Sequence, residues 1–154
     1  SKTLSACGGY IAGNASLIEW LKHSAPGFVY SVGLAPALAA AALESLAIMH
    51  AEPERVARLH ANAALFLGLA REAGFDTGTA SAHAIIPVIL GSSIAAARYS
   101  QLLLARGINV QPIIYPAVAE KAARLRFFIS SEHTNADIRA TIAALIAIRA
   151  EAKK

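Results

Sequence analysis

Three side chains stand out by type and spacing for the chemistry they could do: Lys2, and the arginine pair Arg124 and Arg126. A lysine amine adds to a carbonyl group and forms a Schiff base when nearby cations or a desolvated pocket keep it partly deprotonated. Lys2 runs into small residues and a glycine pair, Gly8-Gly9, whose missing side chains let the backbone be approached closely. A guanidinium presents a planar fork that pairs bidentately with a carboxylate. Two residues apart on a strand, Arg124 and Arg126 point to the same face. The plainer alternatives are a solvated lysine near a chain end and a surface salt bridge on an exposed strand.

Other reactive residue types form no pattern. His23, His50 and His60 fall on predicted helices, His83 precedes a predicted strand, and His133 sits at a helix entry. None has metal-ligand spacing with a cysteine or an acid, so no metal site is expected. Cys7 has no identifiable basic partner and reads as a small packing residue. A lone cysteine also excludes an internal disulfide framework, and a reducing, cytoplasmic setting is the simplest expectation.

Composition narrows the classes further. Charged residues make up 16% of the 154, below the ~25% usual for soluble domains, while apolar residues reach 56% and much of that is alanine. This predicts close-packed helices and a surface partly covered by other protein. The net charge of +4 is scattered, and aromatics are few, so no nucleic-acid surface is expected. The positive balance mildly favours phosphorylated or carboxylated ligands. Residues 32–51 are apolar but alanine-rich and interrupted by Glu44, which suits a buried helix better than a membrane span.

Several elements must position these side chains. A short strand is expected over 8–13, then a helix capped by Asn14 and ended near Pro26-Gly27, then a short strand over 28–31. Pro36 suits the first turn of a helix over 35–50. A second long helix runs from Glu52-Pro53 to about 73, with Val56, Leu59, Ala63, Phe66, Leu67 and Ala70 on one face and Gly74 as its stop. The remainder predicts strand 84–90 (an edge or bulge, because of Pro87), a helix capped by Ser92, strand 108–114, a loop, strand 124–130, and a last helix opened by Thr134 with Asp137 at its third position. From 75 to 154 this is β-α-β-β-α, an open-faced sheet with helices on one side.

Four co-linear blocks carry a resemblance: Ser1-Lys2-Thr3-Leu4-Ser5-Ala6-Cys7-Gly8-Gly9-Tyr10-Ile11-Ala12-Gly13; Phe28-Val29-Tyr30-Ser31-Val32-Gly33-Leu34-Ala35-Pro36; Tyr115-Pro116-Ala117-Val118; and Ala123-Arg124-Leu125-Arg126-Phe127-Phe128-Ile129-Ser130. Together they resemble the α-oxoamine synthases, fold-type I pyridoxal phosphate (PLP) enzymes. The resemblance implies an α/β chain that is the C-terminal part of such a transferase. Residues 1–51 would close the large cofactor-binding domain, 52–74 would form a bridging helix, and 75–154 a small C-terminal domain. It implies that Lys2 is the catalytic, cofactor-holding lysine and that Arg126 holds the amino-acid substrate's carboxylate. It implies that Ser31 reaches the phosphate of the cofactor in the neighbouring subunit of a homodimer, although Val32 and Gly33 stand where several members carry Thr or Ser. The implied reaction joins an α-amino acid to an acyl thioester of coenzyme A or a carrier protein, usually with decarboxylation. The chain alone is then expected to be inactive, since an N-terminal half of the same protein would be missing. The alternatives are a non-catalytic dimerisation or scaffold module and another fold-type I aminotransferase.

Overall fold

The computed structural model describes residues 4–151, which fall into two compact units, Ser1–Pro53 and Glu54–Lys154. In the first unit, α1 (Ala15–Ser24) begins where the Asn14 carboxamide accepts a hydrogen bond from the Ser16 N–H at 3.0 Å. This cap satisfies one of the donors that a helix start leaves unpaired. Helix α2 (Pro26–Val29) is a single turn with proline at its head, and α3 (Pro36–Ala51) also opens on proline. Proline suits that position because its fixed φ is helical and its missing N–H costs nothing there.

The two strands expected in this unit do not form. Residues 8–13 take no regular structure, and Phe28 and Val29 belong to α2. A strand is stabilised by ladder partners, and neither segment has one among the described residues. None of the described residues of this unit is buried, and Tyr10, Trp20, Phe28, Tyr30, Val32 and Leu43 are exposed. The apolar composition therefore lies on the surface here.

The second unit owns the hydrophobic core. Helix α4 (Pro53–Glu72) buries Ala63, Phe66, Leu67 and Ala70 of the face that its apolar spacing predicts, with Leu59 partly buried and Val56 exposed, and is followed by Gly74, whose φ of 71° favours glycine. The segment expected as a bridge thus supplies one wall of this core. Strands β1 (Ile85–Ile89), β2 (Gln111–Ile113) and β3 (Arg124–Phe128) form an antiparallel sheet in the order β1-β3-β2. The edge position of β1 accommodates Pro87, which has no N–H for a ladder. Helices α5 (Ser93–Leu104) and α6 (Asn135–Glu151) complete the unit.

Alternation along the strands sorts the two sheet faces. Ile86, Val88, Leu125 and Phe127 are buried and join Phe66, Leu103, Leu145 and Ile148 in one cluster. The Phe66 and Phe127 rings meet at 4.8 Å between centroids. Each fully buried large side chain contributes about 1.5–3 kcal/mol relative to exposure. The opposite face carries Ile85, Arg126 and Phe128 in the open. Among the described residues, no helix is long and apolar enough to cross a membrane.

Candidate active site

Lys2 lies outside the described residues. Downstream of it, Gly8 has a φ of 148°, and a Cβ there would sit 3.3 Å from Leu34 Cδ1, so both conformation and space favour glycine. A Cβ on Gly9 would meet nothing within 4 Å. A concavity of about 630 Å³ borders this strip and is lined by Cys7, Gly8, Gly9, Leu34, Leu46 and Met49.

Ser31 follows α2 on an exposed turn. Its hydroxyl reaches only the adjoining Val32 carbonyl, at 3.4 Å. The main-chain N–H groups of Val32, Gly33 and Leu34 find no acceptor among the described residues. A hydroxyl and main-chain N–H groups are donors of the type that bind an oxyanion such as a phosphate. The substitution of Val32 and Gly33 for hydroxyl residues leaves these main-chain donors in place.

Arg126 is in the second unit, on the exposed sheet face. Pairing places it between Pro87 on β1 and Gln111 on β2. Its guanidinium carbon lies 4.9 Å from the centre of the Phe128 ring, a cation–π contact that orients the fork without neutralising it. It has no carboxylate partner among the described residues. It lines a groove of about 760 Å³ beyond the short strand β2, with Arg106, Asn109, Gln111, Phe128 and His133. The salt bridge that is the ordinary fate of a strand arginine is therefore absent, and the group can take a ligand carboxylate.

Arg124 shares that face but not that groove. Its Nε donates to the Ala122 carbonyl at 2.7 Å, and its side chain lines a separate concavity with His83. The two arginines are thus brought to one sheet face and directed to different places. Ser31 belongs to the first unit and Arg126 to the second.

The loop between β2 and β3 is anchored by contacts that sequence reasoning misses. Glu120 Oε1 accepts from the Ser93 N–H at 2.7 Å, and Oε2 accepts from the Ser93 hydroxyl at 2.5 Å. The same hydroxyl oxygen accepts from the Tyr115 N–H at 3.2 Å. Ser93, at the start of α5, thereby ties both ends of the loop that delivers the chain to β3. These hydrogen bonds favour the ionised form and hold the Glu120 carboxyl below the usual range. The partners are 27 residues apart, so no local spacing announces them. Among the described residues, no cluster of three or more His, Cys, Asp or Glu is arranged to hold a metal ion.

Comparison with known proteins agrees with this architecture. The family model for aminotransferase class I and II matches residues 1–145. An 8-amino-7-oxononanoate synthase of Symbiobacterium thermophilum is 39% identical over 151 residues, covering 98% of this chain and 38% of the relative. Its counterpart in Fervidobacterium nodosum is 43% identical over 138 residues, covering 90% and 35%. Among solved structures, a serine palmitoyltransferase from S. paucimobilis with PLP and myriocin bound superposes with a TM-score of 0.84 at 28% identity, covering 94% of this chain and 36% of that one. The chain therefore spans well under half the length of these relatives, and its fold is the α/β fold of the fold-type I transferases.

Proposed function

The chain belongs to the aminotransferase class I and II family, and on that premise we propose that it is the C-terminal part of a PLP-dependent α-oxoamine synthase. The whole protein would condense an α-amino acid with an acyl thioester, of coenzyme A or a carrier protein, with decarboxylation. The observation that carries this reading is Arg126. Its guanidinium has no carboxylate partner among the described residues and is braced against Phe128, at the position that the resemblance assigns to the substrate carboxylate.

The residues present suit the cofactor. Lys2 would hold it through its amine, and the Ser31 hydroxyl with the N–H groups of 32–34 would take its phosphate. When bound, pyridoxal phosphate supplies an electron sink for a carbanion at the amino-acid α-carbon. Lys2 would remove and return the proton at that carbon, which requires its neutral amine. Arg126 would fix the carboxylate in two parallel hydrogen bonds and so orient the α-carbon. The Gly8-Gly9 strip would let backbone approach the cofactor region closely.

The exposed apolar surface of the first unit supports the rest of the proposal. We read it as the surface that the remainder of the parent polypeptide and a second subunit cover in a cytoplasmic homodimer. The 154 residues alone would then give no turnover.

The test is spectroscopic and kinetic. Added to the full-length protein, pyridoxal phosphate develops a visible absorbance band that Lys2→Ala removes, and release of coenzyme A or carrier thiol from an acyl thioester then depends on an α-amino acid. A full-length protein that shows neither the band nor amino-acid-dependent thiol release would falsify the proposal.

A further inference from the structure

The Phe128 ring orients the Arg126 guanidinium, at 4.9 Å, so whatever fixes Phe128 bears on the clamp. Half of its strand support is missing. On one side Phe128 faces Ile85 of β1, but on the other β2 pairs no further than Gln111, opposite Arg126. Ladder bonds alternate in direction along a strand, and the Ile129 N–H is the one turned to β1, where it donates to the Ala84 carbonyl at 2.7 Å. The N–H and carbonyl of Phe128 thus face the gap beyond β2, and they find no partner among the described residues.

One residue pair further on, side chains replace the absent strand. The Ser130 N–H, turned to the same gap, donates to Nδ1 of His133 at 3.1 Å. Helix α4 closes the knot. Asn62 is buried on that helix, and its amide nitrogen donates to two carbonyls, those of Ser130 at 3.0 Å and His133 at 2.7 Å. The same helix sets Phe66 against Phe127. It therefore holds the chain just before Phe128 and just after it.

The residue types suit this task. One asparagine nitrogen carries two hydrogens, one for each carbonyl, whereas leucine of similar size would leave both carbonyls unmatched. An imidazole nitrogen accepts from an N–H only when unprotonated, so the ring proton of His133 sits on Nε2. We propose that Asn62 and His133 are positioning residues for the carboxylate clamp, which rests on Arg126 holding the amino-acid carboxylate as proposed above. They fix the end of β3, which fixes the Phe128 ring, which directs the guanidinium fork. Both act through Phe128, without contact to the ligand.

Kinetics of the full-length protein with varied amino acid test this. Asn62→Leu and His133→Leu are each expected to raise the amino-acid KM at least about fivefold, the loss of one or two hydrogen bonds, and to leave the thioester KM and the pyridoxal phosphate band unchanged. His133→Asn is expected to keep the native KM, since its amide oxygen takes the place of Nδ1 and accepts the same N–H. Phe128→Leu raises KM as well, and adding Asn62→Leu or His133→Leu to it raises KM no further, because the link through which they act is gone. Effects that multiply in that cycle overturn the proposal. So does a native KM with a lowered Tm, or a joint loss of the cofactor band and of both KM values, since either marks a role in folding alone.

Hydrogen exchange on the same proteins needs no turnover. The Ile129 and Ser130 amides are expected to exchange at least about tenfold faster in Asn62→Leu and His133→Leu, while Leu125 keeps its native rate. Native rates at Ile129 and Ser130 in both variants overturn the anchoring. If the native protein releases no thiol in response to an amino acid, the acyltransferase reading fails instead, and the exchange rates decide the anchoring by themselves.

Discussion

Single residues set what this chain can bind. Arg126 has no carboxylate partner among the described residues and is oriented by an aromatic ring, so on the proposed reading its loss would remove a bidentate carboxylate contact. If the full-length protein is the proposed enzyme, Arg126→Ala is expected to raise the amino-acid KM by at least about tenfold, and Arg126→Lys to recover only part of it, since a point charge does not reproduce the fork. Steady-state kinetics with varied amino acid check this. Unchanged KM in both variants removes the clamp. Glu120 offers a different readout. The Ser93 hydroxyl, then its N–H, hold the Glu120 carboxyl below its ordinary value. A carboxyl depressed on folding stabilises the fold above its unfolded pKa, and that stabilisation is lost as pH falls through the folded pKa. Glu120→Gln is therefore expected to lower Tm at neutral pH and to match the native chain in acid below both values. A Tm deficit of the same size at both pH values would show that the contact acts by packing alone. Neither Arg126's freedom nor Glu120's partner is readable from spacing: the first depends on which acids come near, the second on a contact across 27 residues.

At the scale of elements, caps and glycine stops are the most legible features, because they are made within a few residues. Thr134 and Asp137 cap α6 reciprocally: the Asp137 carboxylate accepts from the Thr134 N–H at 2.9 Å, and the Thr134 hydroxyl accepts from the Asp137 N–H at 3.2 Å. Thr134→Ala is expected to cost about 1 kcal/mol in denaturant unfolding, the usual loss of a helix cap. Deeper in, Phe66 is fully buried against Phe127. Phe66→Ala is expected to cost about 3–5 kcal/mol, combining lost transfer energy and a cavity. If the loss is under 1 kcal/mol, the α4–sheet core is not what holds the second unit together. The strands expected over 8–13 and 28–31 fail for the opposite reason. Their composition permits extended backbone, but hydrogen-bonding partners decide whether a strand exists, and none of the described residues supplies one. Strands β1 to β3 succeed because each finds a neighbour within the same unit.

For the whole molecule, the two units differ in kind. Glu54–Lys154 has a contiguous core, whereas no described residue of the first unit is buried. Expressed separately, residues 54–154 are expected to remain soluble and to unfold cooperatively, while residues 1–53 aggregate or show little stable structure. Circular dichroism and amide-proton NMR dispersion decide this. A well-dispersed, cooperatively melting 1–53 would show that its apolar surface needs no cover. The low charge fraction anticipates such a surface, but only the fold says which half carries it.

By itself the sequence determined the five longer helices, their caps and stops, the β-α-β-β-α order after residue 75, and the common face of Arg124 and Arg126, because each follows from backbone chemistry over a few residues or from a fixed side-chain period. Tertiary structure alone decided that the sheet runs β1-β3-β2, that the apolar residues of the first unit stay outside, and that the two arginines part, one into the groove beyond β2 and the other into the concavity over β1. Those outcomes depend on which segments become neighbours, and neighbours are chosen by the burial of surface contributed from the whole length of the second unit.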